Sequence, residues 1–228
     1  MSIIVWFRFL FLMLSQLTLE QIEPLSSPTE RAALIQLRGS LGLRSKEWPR
    51  KPDPCLIWVG ITCQNGRVVG INISGFRRTR LGRRNPQFSV DALANLTHLH
   101  TFNASNFLLP GFIPNWFGLI LPSLTVLDLR SCSIVNAIPS TLGNLTNLTV
   151  LYLSDNNLTG TVPDTLGQLL ALSVLDLSRN SLSGHTPTFY AFLTNLSSLD
   201  MPTNFFVWAD SFGHGDPLSV TILESFRQ

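Results

Sequence analysis

The side chains most able to carry out chemistry are sparse in this chain. Only 13% of its 228 residues are charged, 45% are hydrophobic and the net charge is +2, which argues against disorder and gives no global reason to bind nucleic acid or an anionic membrane. His98 and His100 form the closest histidine pair, and the lack of a nearby cysteine favours a solvated pair over a metal site. Residues 213–215, Gly-His-Gly, lack the third glycine of a phosphate-binding loop. We therefore predict a protein that is not an enzyme, with no metal, cofactor or nucleic-acid partner.

The cysteines indicate one short crosslink and one buried thiol. Cys55 and Cys63 are eight positions apart, close enough for a disulfide to close a short loop, and an oxidising compartment lets such a bond persist. Cys132 is then left unpaired. Because a free cysteine behaves as a small apolar residue, we expect a structural role for it, with a reactive thiol as the less favoured alternative.

Two features of the sequence indicate export. Residues 3–14, an apolar run interrupted by Arg8, have the length of a signal-peptide core and are short for a membrane span. We predict a signal peptide over residues 1–24, with an N-terminal anchor or a buried helix as the alternative. The chain also has N-glycosylation candidates in Asn-x-Ser/Thr sequons: Asn72, Asn95, Asn103, Asn144, Asn147, Asn157 and Asn195. Both features predict a secreted or cell-surface protein.

The elements that must position these residues are organised by a repeat. The pattern L-x-x-L-x-L begins at successive intervals of 25, 24, 24 and 24 residues, at Leu99, Leu124, Leu148, Leu172 and Leu196. A fixed number of residues later, the copies carry Phe107, Cys132, Asn156, Asn180 and Asn204. Five aligned copies with this spacing are typical of a leucine-rich repeat.

This spacing predicts a solenoid of stacked coils. The L-x-L alternation favours a short strand with its leucines facing inward, and stacking pairs the strands in parallel. The residue that follows the strand is expected to face inward as a ladder that satisfies backbone groups, formed by Cys132, Asn156, Asn180 and Asn204 and interrupted by Phe107. The predicted fold class is an α/β solenoid, a right-handed leucine-rich-repeat horseshoe with short parallel strands on its concave face, preceded by a helical, disulfide-bonded cap.

Binding, if present, is expected at the strand positions that face away from the core. The candidates are Asn103, Asp128, Arg130, Tyr152, Asp176 and Asp200. Neighbouring strands lie about 4.8 Å apart, so Asp176 and Asp200 form an acidic pair suited to a peptide arginine or lysine. A solvated framework is the alternative for these aspartates. Ser154, on the same face, is expected to be exposed.

A cap and an arginine-rich segment are predicted before the regular repeats. Residues 27–30, Ser-Pro-Thr-Glu, predict a helix start with a capping box. Five arginines, at positions 77, 78, 80, 83 and 84, are expected in a solvated loop inserted in a degenerate first repeat, with binding of an acidic polymer as the alternative. The predicted boundaries are 1–24 for the signal peptide, 25–66 for the cap, 67–204 for the repeats and 205–228 for a divergent tail.

At the level of motifs, the chain resembles a known family. Residues 28–74 resemble the N-terminal cap of plant leucine-rich-repeat proteins, above all in the segment Cys55-Leu-Ile-Trp58-Val-Gly60-Ile-Thr-Cys63, and residues 96–204 resemble the plant extracellular repeats. The resemblance implies the N-terminal ectodomain of a receptor-like kinase or receptor-like protein, which binds a peptide or protein ligand and a co-receptor ectodomain in cell-surface signalling. A secreted inhibitor of cell-wall hydrolases such as polygalacturonases is one alternative, and a truncated, non-functional receptor product is another.

The sequence departs from the family pattern after Asn204. Trp208 stands where the pattern has glycine, and no cysteine follows Cys132. A last coil without a cover exposes its leucines and a strand edge. We therefore predict that the chain is marginally stable and self-associates through residues 193–228.

Overall fold

The computed structural model describes residues 26–84 and 90–207. The predicted signal peptide, residues 85–89 and residues 208–228, which include Trp208 and the Gly-His-Gly motif, lie outside the described residues. The α-helices are α1 (Pro28–Ser40), α2 (Pro54–Ile57), α3 (Arg80–Arg84) and α4 (Phe117–Ile120). No described helix combines the length and the hydropathy needed to cross a bilayer.

A sheet of seven strands forms the concave face of the solenoid. Its strands, in spatial order, are β1 (Ile61–Gln64), β2 (Arg67–Asn72), β3 (Thr101–Asn103), β4 (Val126–Asp128), β6 (Val150–Tyr152), β8 (Val174–Asp176) and β10 (Ser198–Asp200). All neighbours pair in parallel except β1 and β2, which form an antiparallel hairpin. The leucines of the repeat are buried behind this sheet, as in Leu127, Leu151 and Leu175. The predicted fold, a leucine-rich-repeat horseshoe with a disulfide-bonded cap, is confirmed.

A second parallel sheet, which the L-x-x-L-x-L pattern does not predict, flanks the first. Its strands are β5 (Val135–Asn136), β7 (Asn157–Gly160), β9 (Ser181–His185) and β11 (Phe205–Val207). The described residues also form four 3-10 helices, Asp91–Asn95, Ser140–Asn144, Asp164–Gln168 and Phe189–Phe192. Because β11 pairs with β9, the repeat architecture continues to Val207, past the boundary predicted at residue 204.

At the inward turn, the asparagine ladder links each coil to the one before it. The Oδ1 atom of Asn156 accepts hydrogen bonds from the backbone N–H groups of Cys132 and Ile134, at 3.1 and 2.9 Å, and its Nδ2 atom donates to the Leu129 carbonyl at 2.8 Å. Asn180 and Asn204 make similar bonds one and two coils later, where each Oδ1 atom accepts from one backbone N–H group and each Nδ2 atom donates to a carbonyl of the preceding coil. The asparagine amides therefore supply hydrogen-bond partners to backbone N–H and C=O groups at the turn, where neither a helix nor a sheet pairs them.

The residue before each ladder position has a left-handed backbone. The φ angles are positive at Asn106, Ser131, Asp155, Arg179 and Thr203, between 52° and 58°. Such a conformation costs about 1–2 kcal/mol for a residue other than glycine. The cost recurs once per coil because the hydrogen bonds of the ladder fix the turn that needs it.

A second ladder, made of hydroxyl groups, runs along the entry to the concave strands. The side chains of Thr125, Thr149, Ser173 and Ser197 each donate to the backbone carbonyl of the corresponding residue in the preceding coil, at 2.9–3.0 Å. Each acceptor is 24 or 25 residues earlier in the chain. The coils are thus joined by side chains on two sides of the strand.

The N-terminal cap closes the first coil. Leu34 and Leu37 of helix α1 and its C-cap residue Leu41 are completely buried, and the predicted disulfide between Cys55 and Cys63 is present, with a Cα–Cα distance of 5.5 Å. The predicted capping box is wrong, because Ser27 makes no side-chain cap bond and Glu30 points elsewhere. The fully buried Glu30 carboxylate accepts from Arg67 Nε and Val68 N, at 2.8 and 2.9 Å. The carboxylate thereby joins the helix to strand β2.

The expectation of a solvated arginine loop is wrong for Arg78. This side chain is 3% exposed and donates to the backbone carbonyls of Leu41 and Leu108, at 3.0 and 2.6 Å. Its guanidinium lies 4.8 Å from the centroid of the Phe107 ring. Burial lowers the pKa of Arg78. The residue therefore joins the cap to the first regular coil, whereas its neighbour Arg77 is exposed.

Candidate functional site

Five of the six candidate binding residues lie side by side on the concave sheet, and the sixth, Arg130, follows strand β4. The strand register places Asn103 beside Asp128, Asp128 beside Tyr152, and Tyr152 beside Asp176. Asp200 follows Asp176 on the outermost strand. This single column crosses five successive coils, and Val126, Val150 and Val174 form a half-buried apolar column beside it. The structure thus brings the predicted residues together on one continuous surface.

In the first part of the column, charge is neutralised internally. Asp128 is only 3% exposed and receives two hydrogen bonds from Arg130, at 3.0 and 2.7 Å. The hydrogen bond to Asp128 raises the pKa of Arg130. The guanidinium also lies 4.1 Å from the centroid of the Tyr152 ring, a favourable cation–π distance. Asp128 and Arg130 therefore form a framework pair that holds Tyr152 in place.

A second ion pair was not predicted from the sequence. Arg179 donates to both carboxylate oxygens of Asp155, with the Nη2–Oδ2 distance at 2.7 Å. These hydrogen bonds hold the pKa of Asp155 below its ordinary value. Both residues occupy the left-handed position of their coils, so the shared period of 24 residues is the signal that would have paired them.

Asp176 is held by hydroxyl and backbone groups instead of a cation. Its carboxylate accepts from Ser154 Oγ at 2.6 Å and from Ser178 Oγ at 2.7 Å, and it also accepts from the Ser178 backbone N–H at 3.0 Å. The expected exposure of Ser154 is wrong, because its hydroxyl turns toward Asp176 and the residue is completely buried. The carboxylate is therefore fixed in position while its charge remains.

Asp200, in the last concave strand, carries the least compensated charge of the column. No described residue donates a hydrogen bond to its carboxylate. Burial, and secondly the nearby negative charge of Asp176, raise the pKa of Asp200, while Arg179 acts in the opposite direction. A positive charge brought to this position would remove that electrostatic cost.

The buried thiol of Cys132 belongs to the frame and not to the surface. Its Sγ atom donates to the Ala104 carbonyl at 3.1 Å, the same kind of bond to the preceding coil that Asn156 makes through its amide. Burial raises the pKa of Cys132 to about 12. The thiol therefore stays protonated at neutral pH and is a poor nucleophile.

The predicted sequons occupy different faces of the molecule. All of their asparagines are exposed except Asn103, which is half-buried. Asn147 and Asn195 use their Nδ2 atoms to donate to the carbonyls of Pro122 and Leu170, at 2.9 and 2.7 Å. Asn72 and Asn103 instead lie on neighbouring concave strands. Their glycosylation stays a prediction.

The histidines form no metal site within the described part of the chain. His98 Nδ1 is 3.2 Å from the Thr97 hydroxyl, and no group of three or more potential ligands gathers anywhere in residues 26–84 and 90–207. What the concave surface offers instead is a row of fixed polar groups.

Comparison with known proteins agrees with this architecture. The model for a leucine rich repeat N-terminal domain matches residues 27–64, and the model for a leucine rich repeat matches residues 122–182 and 146–205. The chain belongs to the leucine-rich-repeat family. Among relatives of this repeat protein, a probable LRR receptor-like serine/threonine-protein kinase of Arabidopsis thaliana is 61% identical over 119 residues, which are 52% of the chain and 13% of the kinase. The chain spans less than a fifth of the length of the curated relatives that it matches.

Solved structures place this leucine-rich-repeat chain among plant receptor ectodomains. The BIR2 ectodomain from Arabidopsis thaliana is similar over 80% of the chain and 95% of its own length, with a TM-score of 0.67 and 26% identity. The ectodomain of the Arabidopsis receptor kinase HAESA, solved in complex with an IDA peptide hormone ligand, is similar over 78% of the chain and 29% of its own length, with a TM-score of 0.66 and 29% identity. The fold and the receptor-ectodomain class are therefore shared with these proteins.

Proposed function

We propose that this chain is a non-catalytic, extracellular recognition module of a plant leucine-rich-repeat receptor, and that its concave sheet binds a basic peptide or protein segment. The observation that carries the proposal is the distribution of charge on and beside the concave column. Asp128 in the column and Asp155 at the turn after β6 each pair with an arginine, whereas no described arginine or lysine forms an ion pair with Asp176 or Asp200.

Three features support the C-terminal half of the concave sheet as the contact region. Asp176 is fixed by three hydrogen bonds, so its charge is positioned before a partner arrives. Tyr152, beside it in the column, offers a ring with a polar tip. The adjoining valine column adds apolar contact area. A peptide that carries an arginine or lysine next to an apolar residue matches this arrangement.

The test is a binding measurement with paired synthetic peptides. Each pair shares one extended sequence and differs only in a central arginine or glutamine, and the full chain is secreted from a eukaryotic host and immobilised. We expect selective binding of arginine peptides, and Asp200→Asn to weaken it about tenfold, the equivalent of about 1.4 kcal/mol. Asp164→Asn is the matched control, because Asp164 is an exposed aspartate in a 3-10 helix away from the sheet.

The Asp200 variant is suited to this test because its carboxylate accepts no hydrogen bond from the described residues, so the fold does not depend on it. The proposal predicts that binding of the arginine peptides weakens with added salt, since the contact joins opposite charges at a half-buried, solvent-accessible position. Equal binding of arginine and glutamine peptides, or equal loss in the Asp164 control, would contradict it.

A further inference from the structure

A cavity of about 370 Å³ opens at the N-terminal end of the concave sheet. It lies over strand β2, between β1 on one side and the start of β3 on the other, and its lining includes Gly70, Thr62 and Thr101. This volume is at the lower end of the about 300–1,000 Å³ typical of small-molecule sites. The column that reads Thr101, Val126 and Val150 in later coils has Gly70 here, so this position adds no side chain to the cavity.

The lining of the cavity is rich in hydrogen-bonding groups. Thr62, Gln64, Asn72, His100 and Thr101 all contribute, and among the described residues no lysine, arginine, aspartate or glutamate lines it. Donors and acceptors without fixed charge suit a neutral polar ring better than a charged ligand. The chemistry of the site therefore matches a sugar.

One wall of this cavity is itself a candidate point of sugar attachment. Asn72 is exposed, begins the sequon Asn72-Ile73-Ser74 and lines the cavity. Its Oδ1 atom accepts from the Ser74 backbone N–H at 3.0 Å, and its Nδ2 atom, to which a glycan attaches, has no hydrogen-bond partner among the described residues. Asn147 and Asn195 differ, because their Nδ2 atoms donate to backbone carbonyls.

We propose that Asn72 carries an N-linked glycan whose first N-acetylglucosamine lies in this cavity, over Gly70. In the attachment, Nδ2 loses a proton and bonds to C1 of the sugar, and the lipid diphosphate of the glycan donor departs as the leaving group. The inference rests on the export that the proposed function implies. Its consequence is that the glycan closes the N-terminal part of the concave sheet, which leaves the half around Asp176 and Asp200 for a partner.

The experiment compares removal of two glycans from the folded full chain secreted by mammalian cells. Glycopeptide mass spectrometry measures how fast a peptide-N-glycosidase cleaves the glycan at Asn72 and at Asn95, an exposed sequon at the end of a 3-10 helix. We expect cleavage at Asn72 to be about tenfold slower, the equivalent of about 1.4 kcal/mol, and the two rates to become equal after denaturation.

Two variants identify the cavity as the cause of the protection. Gly70→Val fills the floor, since a Cβ atom at this position already lies 3.2 Å from Thr62 Cβ, and it should bring the rate at Asn72 close to that at Asn95. Gln64→Ala removes an exposed side chain from the lining and should bring the rate at Asn72 part of the way toward that at Asn95. It replaces the valine variant in the test if that variant does not fold.

Two results would overturn the inference: an unmodified Asn72 in a chain modified at Asn95, or a glycan at Asn72 that is removed as fast as the one at Asn95. If no sequon is modified but the arginine peptides bind, the inference fails while the proposed function stands. If the glycan at Asn72 is removed slowly but the arginine peptides do not bind, the inference stands while the proposed function fails.

Discussion

The inward turn is built differently in the first regular coils and in the last three. In the later coils, the amides of Asn156, Asn180 and Asn204 both accept and donate hydrogen bonds. At Cys132 a thiol only donates. At Phe107 a ring fills the space, and Arg78 donates to nearby carbonyls from another segment. The turn therefore requires a filled space and paired backbone groups, and asparagine is one of several ways to meet that need.

The largest effect is expected where the first coil meets the cap. Arg78→Ala leaves the carbonyls of Leu41 and Leu108 unpaired next to a new cavity, and should lower the free energy of unfolding by about 3 kcal/mol. Chemical denaturation of the secreted chain measures this, with the exposed Arg77→Ala as the control, for which a change below about 0.5 kcal/mol is expected. Equal effects of the two variants would mean that Arg78 does not join the cap to the coil.

In the regular ladder, a somewhat smaller loss is expected. Asn156→Ala removes bonds to two backbone N–H groups and to the Leu129 carbonyl, and should cost about 2 kcal/mol. Asn204→Ala should cost less, because Asn204 is only half-buried in the last described coil. Chemical denaturation of both variants measures the two losses in the free energy of unfolding. A larger loss for Asn204→Ala than for Asn156→Ala would contradict this prediction.

Much of the regular ladder could be predicted from the sequence, because its signal is periodic. The strands, the asparagine positions and the disulfide all depend on spacings of at most 25 residues. The first coil could not be predicted in the same way, since Arg78 contacts Leu108 thirty residues away and nothing nearby in the sequence marks that contact. The second sheet was missed because its pairing uses backbone groups at positions without a fixed residue type.

The same reasoning applies to the candidate site. Membership of the concave column followed from the repeat, but the partners of its side chains did not. The position of Ser154 in the repeat predicted an exposed side chain. Its hydroxyl instead donates to Asp176, which belongs to the next coil. The pairing of Asp128 with Arg130 is local, yet the burial of Asp128 depends on the coils that stack around it.

A moderate effect is expected from the hydroxyl beside Asp176. Ser154→Ala removes a buried donor at 2.6 Å from the carboxylate and should cost about 1 kcal/mol, close to the typical value for one hydrogen bond. Thermal unfolding measures the change, with Thr161→Ala, at an exposed position outside the predicted sequons, as the control. If the effect is no larger than that of the control, the hydrogen bond from Ser154 to Asp176 does not stabilise the fold, and the argument that Asp176 is fixed in position is weakened.

The smallest effect depends on pH. The pKa of Asp200 is raised in the folded chain by burial and by Asp176, so its ionised form is less favourable there than in the unfolded chain. That cost is present above the raised pKa and is lost as the pH falls through it. Asp200→Asn should therefore stabilise the fold slightly at about pH 7, by less than about 0.5 kcal/mol, and should have no effect at about pH 3. A loss of stability at neutral pH would show that Asp200 has a cationic partner.

The hydroxyl ladder at the strand entries also determines how the coils come apart. Each of its bonds joins a coil only to its immediate predecessor, so stability passes along the molecule as a chain of nearest-neighbour couplings. Within the described residues, a coil with two neighbours is held from both sides, while the coil that contains β10 is held from one. Opening then proceeds by fraying, and backbone amide protons of β10 should exchange with solvent faster than those of β6, with β8 between them.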